Sequence, residues 1–291
     1  MLRRLVCRAL ESKLLQRRRV LDDEELCAPA IVFSPHYDDE TLGCGGTIAL
    51  KRRAGADVTI VFMTDGSGSH GHLMDPDELG GLRRCEGECA ANALGVPSAA
   101  VVNLGIRERT LANEIDSIVP RILALLRGQR PAQVFLPHPA EPRVWSTDHL
   151  ATTSAVQQAV ASWGEPVTLF AYPVWYWYYW PWVSISIKER AQAPAILEHS
   201  LTHRWGGDIG SCFTDIIDTR AVESTKREAL CCYRSQTTRM NGAANWPILQ
   251  DVAAGTFLEC FFRGFEAFGC TPLRIAQGRE AEGQVLVGGD A

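Results

Sequence analysis

The residues Ser34-Pro35-His36-Tyr37-Asp38-Asp39-Glu40 follow directly on the apolar run Ala30-Ile31-Val32-Phe33. A buried strand that stops at such a segment brings one imidazole and three carboxylates to a single point. In an open α/β sheet, the carboxyl end of a strand is where ligands bind. Adjacent ionised carboxylates at Asp38 and Asp39 repel unless a cation, a proton or strong hydrogen bonding relieves them. A histidine three residues before an aspartate, His36 with Asp39, suits a borderline cation such as zinc, which accepts nitrogen and carboxylate oxygen together. Asp38 is then left to handle a proton. Helix capping is the competing explanation, and it accounts for one carboxylate rather than for a histidine and three acids.

Other side chains fall at the same edge if strands and helices alternate. A second strand over residues 57–64 ends in a polar loop with His70 and His72. Joined to the first strand by a helix, it makes a right-handed βαβ unit whose loops share one edge. A third strand over 101–104 leads into Arg107-Glu108-Arg109, and a fourth over 133–136 leads into a proline-rich loop ending at Asp148-His149. His149 is thereby a candidate third ligand, since two histidines and one carboxylate leave a position open for water. Asp148 would cap the following helix or support an imidazole.

The intervening helices are predicted over 48–54, 77–94, 113–127 and 150–162, with Gly95 and Pro97 closing the second. Thr41-Leu42-Gly43-Cys44-Gly45-Gly46-Thr47 is read as a glycine loop ahead of the first helix. It is not a dinucleotide fingerprint, because Ile48 stands where the third glycine belongs. A late strand over 213–217 and a helix over 219–232 complete the pattern. Eight of the eleven residues 172–182 are aromatic, with no helical or strand period. Trp175 and Trp177 there suit stacking on the apolar face of a sugar, and packing on the domain or an oligomer contact is the alternative.

The chain has 291 residues, 46% hydrophobic, enough for one large core domain, expected over residues 28–275. Residues 1–27 read as a basic amphipathic helix followed by an acidic linker. That helix is expected to pack its apolar stripe on its own domain, with peripheral contact to an anionic membrane as the alternative. The tail over 276–291 is expected to be disordered. A net charge of −5 gives no basic field for nucleic acid. The ten cysteines include no paired C-x-x-C spacing. They read as reduced thiols of a cytoplasmic protein, with no signal peptide and no membrane span.

On these residues the chain resembles the PIG-L/LmbE-like deacetylases, zinc enzymes that remove acetyl from N-acetylglucosamine conjugates. The match comprises Pro35 to Glu40, Thr41 to Gly46, Arg83-Arg84-x-Glu86 before Leu94-Gly95-Val96, Asp148-His149, Asp218, Lys226 and Tyr233-Arg234-Ser235-Gln236. The resemblance implies an α/β, Rossmann-like, mostly parallel sheet with helices on both faces. It implies one Zn2+ per chain on His36, Asp39 and His149, with Asp38 as general base and Arg83 or Arg84 near the substrate. Two departures stand out. Members often carry His-x-Asp-His, where this chain has Ser146-Thr147-Asp148-His149; Ser146 is a weaker oxyanion donor, for which His138 or His70 would compensate. The acidic substrate loop is replaced by Arg107-Glu108-Arg109.

The expected reaction is hydrolysis of an N-acetyl group on an amino sugar, free or joined to a lipid or natural product. Asp38 would take a proton from the metal-activated water and pass one to the leaving amine. A metal-dependent amidase or esterase on a non-sugar acyl substrate, or a non-catalytic sugar-binding protein, is the alternative. Oligomeric state is left open.

Overall fold

Eight strands form one sheet: β1 (Arg18–Arg19), β2 (Ala30–Ser34), β3 (Val58–Thr64), β4 (Val101–Ile106), β5 (Gln133–Pro137), β6 (Val167–Tyr172), β7 (Asp215–Asp218) and β8 (Phe265–Leu273), in a computed structural model that describes residues 2–142, 147–185 and 190–273. Their order is β1-β7-β8-β6-β5-β2-β3-β4. β2 to β6 run parallel to one another, and β8 is antiparallel to both β6 and β7. The helices are α1 (Leu2–Leu15), α2 (Asp23–Cys27), α3 (Asp39–Arg53), α4 (Pro76–Ala93), α5 (Ile115–Gln129), α6 (Thr147–Trp163), α7 (Ala193–Thr202), α8 (Ile209–Cys212), α9 (Glu223–Cys232) and α10 (Arg234–Thr237).

Strand alternation divides the core. Ile31, Phe33, Val61, Met63, Val134 and Leu136 pack under α5 and α6. Val32, Ile60, Phe62 and Phe135 face the other way, toward α3, α4, α9 and the aromatic segment. Helices therefore cover both faces of a mostly parallel sheet, the architecture expected from the βα alternation. β2 sits between β5 and β3, with Val32 paired to Phe135 on one side and to Ile60 on the other. The chain order reverses there, so the loops after β2 and β5 diverge and leave a crevice between them.

The first core helix differs from expectation. α3 begins at Asp39, not at residue 48, and runs through the glycines. Glycine costs a helix about 1 kcal/mol relative to alanine, and here close packing outweighs it. A Cβ on Gly43 would strike the Tyr172 ring, and one on Gly46 would lie 2.7 Å from Thr219 Cβ. The helix kinks at Cys44, whose φ and ψ are −145° and 16°. The amides of Gly46 and Thr47 instead donate to the Glu266 carboxylate, while Lys226 Nζ donates to Leu42 O and to Glu266. Lys226 and Glu266 are 2% and 4% exposed. Removing one member of such a pair strands the other charge, at about 3–5 kcal/mol. Glu266→Ala is accordingly expected to lower unfolding stability by that amount in urea titration, and Glu266→Gln by less.

β6 and β8 were not foreseen. β6 ends at Tyr172, where the aromatic segment begins, and β8 carries Gly269 and Pro272, which interrupt strand patterning. At the amino end, Arg3 donates to Pro181 O and Trp182 O, and Leu14 is buried. Asp22 and Glu25 form a capping box on α2 within the acidic linker. The tail over 276–291 lies outside the described residues. Among the described residues no helix is long and apolar enough to cross a membrane.

Candidate active site

The turn after β2 is fixed by its own polar groups. Ser34 Oγ donates to His36 O at 2.7 Å and accepts from Glu40 N at 3.0 Å. Glu40 is fully buried and accepts from Tyr233 Oη at 2.6 Å and from the Asp38 amide at 3.2 Å. It is thus committed to the turn. Asp38 is held at φ 121°, a conformation non-glycine residues rarely adopt. That conformation turns one carboxylate into the cavity just before Asp39 starts α3. Arg83, from α4, donates to Tyr37 O and to Asp38 Oδ2, the latter at 3.3 Å.

Asp39 Oδ2 is the hub of the cluster. It stands 3.1 Å from His36 Nδ1 and 3.2 Å from His149 Nε2. Burial opposes its ionisation, but His149 and His36 prevail and hold the carboxyl below the usual range. Burial pushes Asp38 the other way, well above that range, against the attraction of Arg83. Two neighbouring carboxyls are thereby shifted in opposite directions.

These residues fit a tetrahedral cation. One ligand atom each from His36, Asp39 and His149 lie within 4.8 Å of one another. Bonds of about 2.0–2.1 Å put tetrahedral donors ~3.3 Å apart, close to the separations around Asp39 Oδ2. Both ring nitrogens of His149 are buried without a hydrogen-bond partner among the described residues, and the one that bears the lone pair is free to meet a cation. Carboxylates stand behind both imidazoles: Asp148 Oδ2 is 3.1 Å from His36 Nε2, and Glu141 Oε2 is 3.5 Å from His149 Nδ1.

Glu141 was not singled out from the sequence. Its carboxylate accepts the backbone amides of Val174, Trp175 and Tyr176, fastening the aromatic segment beneath His149. Burial pushes it up to about 7, against the pull of His149 and those amides. An irregular loop offers no spacing that would have flagged it. Glu141→Gln is expected to weaken metal binding by about 10–100-fold, as loss of an outer carboxylate does at a histidine ligand, read by competition with a chromophoric chelator.

A cavity of about 510 Å³ opens over the cluster. His36, Asp38, Asp39, Arg83 and Asp148 form its polar wall, and Trp175, Ile248, Leu249, Val252 and Phe257 its apolar one. His70 lines it too, stacked on Trp246 with ring centroids 4.3 Å apart. Its nitrogens meet Ser69 Oγ and Pro247 O. Glu108 and Arg109, from the substituted loop, are also on the wall, Glu108 Oε2 standing 4.0 Å from Arg83 Nη1. Three other residues are not brought there. Arg84 is exposed and pairs with Glu88, since it follows Arg83 on the outer face of α4. Trp177 is 4% exposed and packs on Phe213 and Trp182. His138 is turned away toward Cys212 O, and burial lowers it to about 4. Ser146 lies outside the described residues.

Fold and site together define a doubly wound α/β protein with a His-Asp-His cluster that could hold a metal ion, and an adjoining acid, at the switch point of its sheet. Residues 31–160 match the family model PIG-L, GlcNAc-PI de-N-acetylase. A 1D-myo-inositol 2-acetamido-2-deoxy-alpha-D-glucopyranoside deacetylase of Tsukamurella paurometabola is 30% identical over 251 residues, covering 71% of this chain and 82% of that protein. The diacetylchitobiose deacetylase of Thermococcus kodakarensis is 34% identical over 121 residues, 41% of this chain and 44% of that one. The structure of N,N'-diacetylchitobiose deacetylase from Pyrococcus horikoshii, in complex with an inhibitor, shares the fold: TM-score 0.59 at 22% identity, over 92% of this chain and 90% of that one. The chain belongs to the PIG-L family.

Proposed function

We propose that the chain is a zinc-dependent hydrolase that removes the N-acetyl group from an N-acetylglucosamine-type conjugate. The observation that carries this reading is Asp38, held at a strained backbone angle beside a His-Asp-His cluster and open to a half-apolar cavity. Family membership supports it as well. Zinc on His36, Asp39 and His149 would supply Lewis acidity toward a water and toward the acetamide carbonyl.

The remaining work falls to side chains. Asp38 accepts the proton of the attacking water and returns one to the amine as the C–N bond breaks. Arg83 fixes Asp38 from behind. Its Nε–H is buried without a hydrogen-bond partner among the described residues, and a substrate oxygen is the partner we assign to it. Asp148 and Glu141 keep His36 and His149 oriented. Trp175 and Phe257 present an aromatic surface to the sugar or to what it is linked to. Acetate release is the test, from diacetylchitobiose and from an inositol-linked N-acetylglucosamine, with zinc supplied. Turnover of either is expected; a folded, metal-loaded protein that releases acetate from neither would contradict the reading.

A further inference from the structure

We propose that His203, Asp208 and Cys212 form a second divalent-metal site, of zinc type, that closes the turn between α7 and α8. One ligand atom from each lies within 4.8 Å of the other two. Asp208 Oδ2 stands 2.7 Å from His203 Nδ1 and 3.6 Å from Cys212 Sγ. An imidazole, a carboxylate and a thiol are a donor set that zinc accepts, with a fourth position left for water. A plain His–Asp hydrogen bond accounts for two of these groups. The Cys212 thiol donates to the same carboxylate oxygen, so all three donor atoms converge on one point.

Arg17 donates to Phe213 O, His138 Nε2 meets Cys212 O, and Ile196, Ile209 and Phe213 are fully buried, so the segment is anchored on both sides of the cluster. Arg204, Trp205 and Gly206 have successive φ angles of 48°, 56° and 87°, which only glycine adopts freely. α8 has four residues, too few to be stable alone, and neither α7 nor α8 has a side-chain cap. Tyr179 lies stacked on His203, ring centroids 5.3 Å apart. His203 is buried while Asp208 and Cys212 are half-buried, so an ion can enter from solvent. Burial pushes the Cys212 thiol up to about 11, so the entering ion must displace its proton. None of the three residues lines the active-site cavity.

Cobalt(II) titrated into the metal-free full chain tests the site by itself. A thiolate ligand gives a sulfur-to-cobalt charge-transfer band in the near ultraviolet, which a His-Asp-His set cannot give. The band is expected in the wild type and in His149→Ala. Cys212→Ser should lose it, and His203→Gln should bind cobalt at least tenfold more weakly. Cys89→Ser is the control, because Cys89 Sγ stands 2.6 Å from Cys232 Sγ and offers cobalt another pair of thiols; it should keep the band. A wild type without the band overturns the proposal, as does a band that survives Cys212→Ser or disappears in Cys89→Ser. Should Cys212→Ser not fold, the wild-type band and unweakened binding in His203→Gln decide in the same way.

Discussion

Asp38→Asn is expected to lower kcat by about 10²–10⁴-fold, the usual contribution of a positioned proton carrier, while metal content stays at the wild-type level. The substitution is nearly isosteric, and the amide can still meet Arg83 and keep the turn between β2 and α3. What it loses is the capacity to take a proton and give it back. Asp38 lies outside the His36, Asp39 and His149 donor set, so metal retention and loss of turnover should separate cleanly. Single-turnover acetate release, paired with elemental analysis of the same sample, reads both. Turnover within a factor of a few of wild type would remove Asp38 from the chemistry.

His149→Ala should behave in the opposite manner, losing metal and activity together. The ring is fully buried between Asp39 and Glu141, and its removal takes away one of three donors. The loss of affinity should exceed the ~10–100-fold expected of an outer carboxylate, so dialysis against a mild chelator empties the variant and not the wild type. Glu141 is left facing a void at the same time. A second effect, a loss of stability from the cavity left by the buried ring, should follow and show as a lower urea midpoint. Full metal retention in His149→Ala would exclude it as a ligand.

The parts of this site that sequence could foretell are the local ones. His36 to Glu40 sit within one strand-turn-helix step, where spacing alone fixes proximity, and His149 follows from topology, because parallel strands deliver their loops to one edge. The glycines of α3 misled for a physical reason. Intrinsic propensity argues against a helix there, and what overrides it is contact with Tyr172 and Thr219, far away in the chain. The same distance hides Glu266, which takes the amides freed at the Cys44 kink from a strand whose glycine and proline mask it. Glu141 escapes because its partners are three backbone amides, which carry no sequence signature. Arg83 and Arg84 were indistinguishable until helix phase turned one inward and the other out. The aromatic segment likewise divides, Trp175 to the cavity and Trp177 to the core.

The proposal that zinc and Asp38 act together in removing an acetyl group comes down to one comparison. Acetate release from an N-acetylglucosamine conjugate is followed for wild type as zinc-loaded, chelator-stripped and zinc-restored protein, beside Asp38→Asn at matched zinc content. Release that vanishes on stripping, returns with zinc and stays absent in Asp38→Asn is the predicted result. Release that persists in stripped protein, or that Asp38→Asn sustains at the wild-type rate, would contradict it.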